Sequence, residues 1–202
     1  KIKKKIGVDV SEQVLETETA PKSVEKENIK EDKDITTIIS KKDNRKYIVR
    51  KLPDAENAAD KLSEINSYIL TLIKSLENKE NNDYTGNVKT LINRYNPDTL
   101  SETGKDAEYT SYSVNKGQKI SICIRNKDNS FIDNNTVIFV VIHELAHVMT
   151  DSIGHTEEFW DNMKYLLEKA EEIKIYTPQD YNTNPVNYCG MEINSTPYDF
   201  KK

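Results

Sequence analysis

His143-Glu144-Leu145-Ala146-His147-Val148-Met149-Thr150-Asp151-Ser152-Ile153-Gly154-His155 holds all three histidines of the 202-residue chain. On a helix, side chains four apart share one face, about 5–6 Å from each other. His143 and His147 can therefore aim two imidazoles at a single cation. Glu144 lies one step round the helix, poorly placed as a ligand beside both histidines but well placed to take a proton from water at a metal's open position. His155 follows Gly154 and supplies a third ligand from outside the helix. Catalytic zinc favours three protein ligands and one open position. The expected cofactor is thus Zn2+, with His143, His147 and His155 as metal ligands and Glu144 as the catalytic base. Asp151, four residues after His147, is the rival third ligand if the helix runs on. Otherwise it is a carboxylate that orients a histidine N–H, or a solvated helix end. Glu168, Glu171 and Glu172 in the next helix are further alternatives.

The flanks say where this stretch sits. Asp133 or Asn134 can cap a helix in which Val137, Ile138, Phe139, Val140, Val141, Ile142, Leu145, Ala146, Val148 and Met149 surround the axis, and a helix apolar all round is a buried one. Burying two histidines and a glutamate is costly unless something satisfies them, and a bound metal does so. Beyond the Gly154 corner, Thr156 with Glu157 and Glu158 reads as a cap and acidic first turn. The next helix has an inward stripe of Phe159, Met163, Leu166, Leu167, Ala170 and Ile173, with Trp160 near the site. Upstream, Glu108 to Val114 and Gln118 to Arg125 read as strands joined by Asn115-Lys116-Gly117, where Gly117 can take positive φ. Ile120, Ile122 and Ile124 mark one buried face, leaving Ser121, Cys123 and Arg125 on the other. Bordering the metal cleft, such a hairpin would offer its backbone to an extended peptide by strand addition.

Further out, Lys46 to Leu52 reads as a strand closed by Pro53, and Asp54 caps a helix whose stripe is Ala58, Leu62, Ile65, Ile69, Leu72, Ile73 and Leu76. Val88 to Tyr95 is a short second helix, followed by a polar loop to about Lys105, and Val186 to Ile193 is a last extended segment. Residues 1–44 alternate charges with few large apolar groups and read as a flexible arm, except that Ile35 to Ile39 suits an edge strand. Residues 45–202 form the domain.

Composition sets outer limits. A net charge of -5 argues against a whole-surface grip on nucleic acid, though a local basic patch escapes such a sum. Cys123 and Cys189 lie far apart and lack CxxC spacing, which indicates neither a disulfide scaffold nor a cysteine zinc site and makes a reducing, intracellular compartment the default. A Cys189 thiolate could block the open metal position, but a small buried side chain is the preferred reading. No apolar run of about 18 residues is present to span a membrane. Lys1-Ile-Lys-Lys-Lys5 reads either as an ordinary basic end or as the stub of an apolar anchor upstream of Lys1. Tyr188, Tyr181 and Tyr112 are candidates to stabilise a developing oxyanion.

His143-Glu-Leu-Ala-His147, followed by Gly154-His155-Thr-Glu-Glu-Phe159-Trp160, resembles the WLM and SprT-like group of zinc peptidases, in which a Gly-His element leading to a Phe follows HExxH. Tyr112-Ser-Val-Asn-Lys-Gly117, Asn135-Thr136 and Pro185-Val-Asn-Tyr-Cys-Gly190 are similar to WLM-type proteins, including versions in large DNA viruses, so the likeness spans roughly residues 46 to 197. The resemblance implies an α+β, compact zincin-like domain, with a small antiparallel or mixed sheet, a buried HExxH helix and flanking helices. It implies a zinc endopeptidase with a protein substrate, located inside the cell or with the virion. Nuclear relatives cleave proteins crosslinked to DNA, which makes DNA or DNA-bound protein a further expected partner. A non-catalytic binding or virion structural protein that keeps the zinc site is the alternative, and a zinc amidase a weaker one.

Overall fold

The computed structural model describes residues 34–77, 84–105, 107, 110–114 and 116–200. Strand β1 (Ile35–Ile39) pairs antiparallel with β2 (Lys46–Arg50), from Ile35 opposite Arg50 to Ile39 opposite Lys46. The edge-strand reading of residues 35–39 therefore applies, and the sheet takes in residues that a boundary at 44 leaves in the arm. Residues 1–33 lie outside the described residues. Helix α1 (Ala55–Glu77) buries the expected stripe, Ala58 through Leu76, against β2 and its neighbours. Its 23 residues span about 34 Å at 1.5 Å per residue.

Helix α2 (Thr85–Arg94) leads through a short 3-10 turn at Pro97–Thr99 into β3 (Leu100–Glu102). β4 (Tyr112–Val114) and β5 (Lys119–Ile122) complete a mixed sheet in the order β1-β2-β3-β5-β4, with β3 parallel to both β2 and β5, and β4 antiparallel to β5. The strand at the centre of this sheet occupies a stretch expected to be a polar loop. Its Ser101 and Glu102 are polar yet buried. Glu102 is accommodated because fully buried Arg125 donates to it from Nε at 2.8 Å, and the Arg50 backbone N–H donates at 2.7 Å. The other end of the Arg125 guanidinium holds Asp54 through Nη1 at 2.7 Å and Nη2 at 2.9 Å. Its Cζ lies 4.4 Å from the centre of the Phe131 ring. One cation thus joins the start of α1, the central strand and the end of β5. Buried charges persist when paired and hydrogen-bonded on this scale. Ser121, on the face of β5 opposite Ile120 and Ile122, and Arg125, three residues beyond the strand, are consequently as buried as the apolar side, each at 1% exposure.

Helices α3 (Asn134–Met149) and α4 (Glu157–Glu172) pack against each other, with α2 and the β4–β5 edge on the other sides of α3. Asp133 caps α3 by accepting from Thr136 N–H at 2.9 Å, and Thr156 caps α4 by accepting from Phe159 N–H at 3.3 Å. The tail forms a hairpin, β6 (Val186–Tyr188) and β7 (Met191–Ile193), turning at Cys189 and Gly190, which take φ of 52° and 86°. Among the described residues no helix is long and apolar enough to cross a membrane.

The cysteines overturn their expectation. Cys123 and Cys189 are joined in a disulfide across a sequence separation of 66. Cys189 is therefore no free thiolate for a metal, and the default argument for a reducing compartment loses its basis. The pairing arises because the tail hairpin docks beside the end of β5, a juxtaposition that cysteine spacing does not encode. Tyr188 reinforces it, donating to the Cys123 carbonyl at 2.7 Å, with Ser111 Oγ also 2.7 Å from its hydroxyl.

Candidate metal centre

Residues 143–147 occupy the last turns of α3, where helical spacing puts His143 and His147 on one face, and the Gly154 corner (φ 81°) brings His155 to meet them. His155 Nε2 stands 3.2 Å from His147 Nε2 and 3.2 Å from His143 Nε2. Tetrahedral bonds of about 2.0–2.1 Å to one zinc require nitrogens about 3.3 Å apart, so the three rings fit a single ion. Among the described residues this is the one group of histidine, cysteine and carboxylate side chains clustered closely enough to hold a metal. All three expected ligands converge.

Packing against aromatics holds the rings. Phe159, fully buried on the first turn of α4, lies with its ring centre 4.9 Å from that of His143, 4.3 Å from that of His147 and 4.7 Å from that of His155. Trp160 stands 5.4 Å from the His155 ring. His143 Nδ1 is buried with no hydrogen-bond partner among the described residues, and the Phe159 ring packs edge-on against that imidazole.

Glu144 is buried beside the rings, at 1% exposure. Ser113 on β4 donates to its carboxylate from both the hydroxyl and the backbone N–H. The other oxygen, Oε1, has no partner among the described residues. Burial pushes this carboxyl up to about 8, against the pull of the Ser113 hydrogen bonds. Burial and then the charge of His155 bring His147 down to about 3, and burial holds His143 well below the usual imidazole range. A neutral imidazole is the form that binds a metal. A dication among the rings would act on Glu144 in the opposite sense to burial, favouring the carboxylate.

Asp151 does not serve the histidines. Its carboxylate pairs with Arg94 Nη2 at 2.7 Å and is 72% exposed, because α3 ends at Met149 and the chain turns away before Asp151 could share the ligand face. Glu168, Glu171 and Glu172 also stand outside the cluster, Glu171 bonding Tyr198 and Glu172 pairing with Lys169. Of the tyrosines, Tyr181 packs against Phe139 in the core, 4.6 Å between ring centres. The Tyr188 hydroxyl is engaged by Ser111 and Cys123, and Tyr112 lies on β4 with Lys119 Nζ 5.8 Å from its ring centre. Ser113 and the platform role of Phe159 are what sequence reasoning missed. A serine in a strand and a phenylalanine in an apolar stripe carry no local sign of either task.

Comparison with known proteins supplies the family. A family model described as WLM domain matches residues 90–198, more than half of the chain. The chain belongs to the WLM family. This is a metallopeptidase-like family, and the match covers the HExxH helix, the Gly154-His155 corner and the tail hairpin. The WLM chain is 36% identical over 153 residues to uncharacterized protein R325 of Acanthamoeba polyphaga mimivirus, covering 74% of this chain and 78% of that one. It is 36% identical over 111 residues to uncharacterized protein 136R of Invertebrate iridescent virus 6, covering 52% and 58%. The crystal structure of Wss1 from Saccharomyces cerevisiae is 22% identical, with a TM-score of 0.44 over 60% of this chain and 83% of that one.

Proposed function

We propose that this WLM protein is a zinc-dependent endopeptidase, with His143, His147 and His155 holding the ion and Glu144 as general base. The observation that carries the reading is the convergence of three Nε2 atoms beside a buried carboxyl oxygen that has no partner among the described residues. Zinc bound there supplies Lewis acidity, polarising a peptide carbonyl and acidifying water. Ser113 fixes one side of the Glu144 carboxylate, leaving Oε1 to take a proton from water and return it to the leaving amine. β4 is the outer strand of the sheet on this side and carries Ser113, so an extended substrate added along β4 would run past Glu144.

The substrate class is protein. Viral relatives and the family resemblance extend the proposal to DNA-associated proteins. They also extend it to action in the cell or the virion, and the disulfide suits the oxidising surroundings of a virion. Metal analysis with cleavage assays, run with and without DNA, tests the reading. We expect about one zinc per chain, lost in His143→Ala and His147→Ala. Glu144→Gln should keep zinc while cleavage falls about 10²–10⁴-fold. A folded chain that takes up no zinc, or a fully active Glu144→Gln chain, rejects it.

A further inference from the structure

His143 and His147 are fixed by the helix that carries them, but His155 stands at the end of a segment, residues 150–155, that forms neither helix nor strand. Its position depends on what holds that segment. Lys116, in the turn between β4 and β5, extends its ammonium to the carbonyl oxygens of Thr150 at 2.9 Å and Ser152 at 2.7 Å. The turn is tight against the end of α3. A Cβ on Gly117 would come within 3.0 Å of Val148 Cγ1 and 3.2 Å of the Arg94 carbonyl oxygen, and Lys116 itself takes a left-handed φ of 55°. Non-glycine residues seldom adopt that conformation, so the surroundings must impose it. Arg94 adds Nη1 on the Val148 carbonyl at 3.1 Å and Nη2 on Asp151. Within the segment, Ser152 Oγ donates to Glu158 Oε2 at 2.8 Å, and Asn162 Nδ2 donates to Thr150 Oγ1 at 2.8 Å.

We propose that Lys116 is the positioning residue for the third metal ligand: by gripping the carbonyls of Thr150 and Ser152 together, it fixes where His155 Nε2 stands relative to His143 and His147. The inference rests on reading the three histidines as zinc ligands. An ammonium suits the task because it offers three donors from one point and can hold two carbonyls of one turn at once. Its charge works against the ion. The Lys116 ammonium already disfavours a positive charge on His147, and it repels a dication in the same way. Two accounts of this lysine therefore predict opposite signs. If it acted on the metal by charge alone, removing it would slow zinc release. If it positions His155, removing it speeds release.

The test uses the full chain loaded with one equivalent of Zn2+, followed by an excess of a chromogenic chelator, and reads the rate of zinc release. Lys116→Met keeps the stem and removes the ammonium, and should release zinc about 10–100-fold faster, the usual cost of losing a group that orients a ligand. Lys61→Met is the control, since the Lys61 ammonium holds the Ile132 carbonyl at 2.9 Å ahead of the far end of α3, and release should be unchanged there. Lys116→Gln, which keeps a donor without the charge, should fall between wild type and Lys116→Met, and it serves alone if the methionine variant does not fold. Release at the wild-type rate or slower in both Lys116 variants overturns the proposal, as does equal acceleration in Lys61→Met. A wild-type chain that binds no zinc overturns the metal reading with it, whereas a zinc-binding wild type with unaltered Lys116 variants sinks only the positioning role.

Discussion

At the scale of single residues, the Glu144 carboxylate depends on Ser113. Removing the hydroxyl in Ser113→Ala deletes one of two hydrogen bonds that favour the ionised carboxylate, while the backbone N–H remains. A hydrogen bond to a charged group contributes about 1.5–3 kcal/mol, so kcat/KM should fall at least about 10-fold with zinc content unchanged. The sign of the pH effect follows from the same bond. Both Ser113 contacts lower the Glu144 pKa, so losing one raises it, and a base must be deprotonated to act. The acid limb of the pH–rate profile should therefore move to higher pH in Ser113→Ala, and an unmoved limb would separate Ser113 from the base. The positions of His143, His147 and Glu144 were legible in the sequence because their spacing is helical and local, and that of His155 because Gly154 marks the corner after the helix. Ser113 was not, because its task exists only once β4 lies against α3. Of the readings open to Asp151, the solvated helix end applies: its spacing from His147 suits a ligand only in a continuing helix, and the helix stops two residues earlier.

At the scale of elements, the turn between β4 and β5 bears on two other elements at once. Its Gly117 takes φ of 103°, and a Cβ there would meet both Val148 on α3 and the Arg94 backbone at the end of α2. Gly117→Ala combines a left-handed penalty of about 1–2 kcal/mol with overpacking of about 1–3 kcal/mol. Denaturant melts should show a loss of at least about 2 kcal/mol, and a loss under about 0.5 kcal/mol would mean that the turn can withdraw from α3. The long helices could be read directly, since α1 and α3 declare themselves by stripe or by all-round apolarity and by caps. Among the described residues the hairpin strands run over three and four residues, shorter than expected, and Glu108 and Tyr109 of the expected first strand lie outside the described residues. β3 escaped notice altogether, because three residues are too few to alternate and its buried Glu102 reads as a surface residue until Arg125 is placed beside it.

At the scale of the whole molecule, the disulfide fixes the tail hairpin to the sheet. For a loop of 66 residues the chain-entropy estimate is about 4 kcal/mol, and measured values typically run about 2–4 kcal/mol. The paired change Cys123→Ser with Cys189→Ser should lower unfolding free energy by about that much, and a double variant as stable as wild type would show the Tyr188 and packing contacts to suffice. Two isolated cysteines give no such signal in a sequence, since only the folded path of the chain brings their Cα atoms within 6.5 Å. The bridge also has a topological effect. Residues 123–189 form a closed covalent ring, and His143, Glu144, His147 and His155 all lie within it. One protease nick inside that ring leaves a single covalent molecule, which would migrate as uncut until reductant opened it.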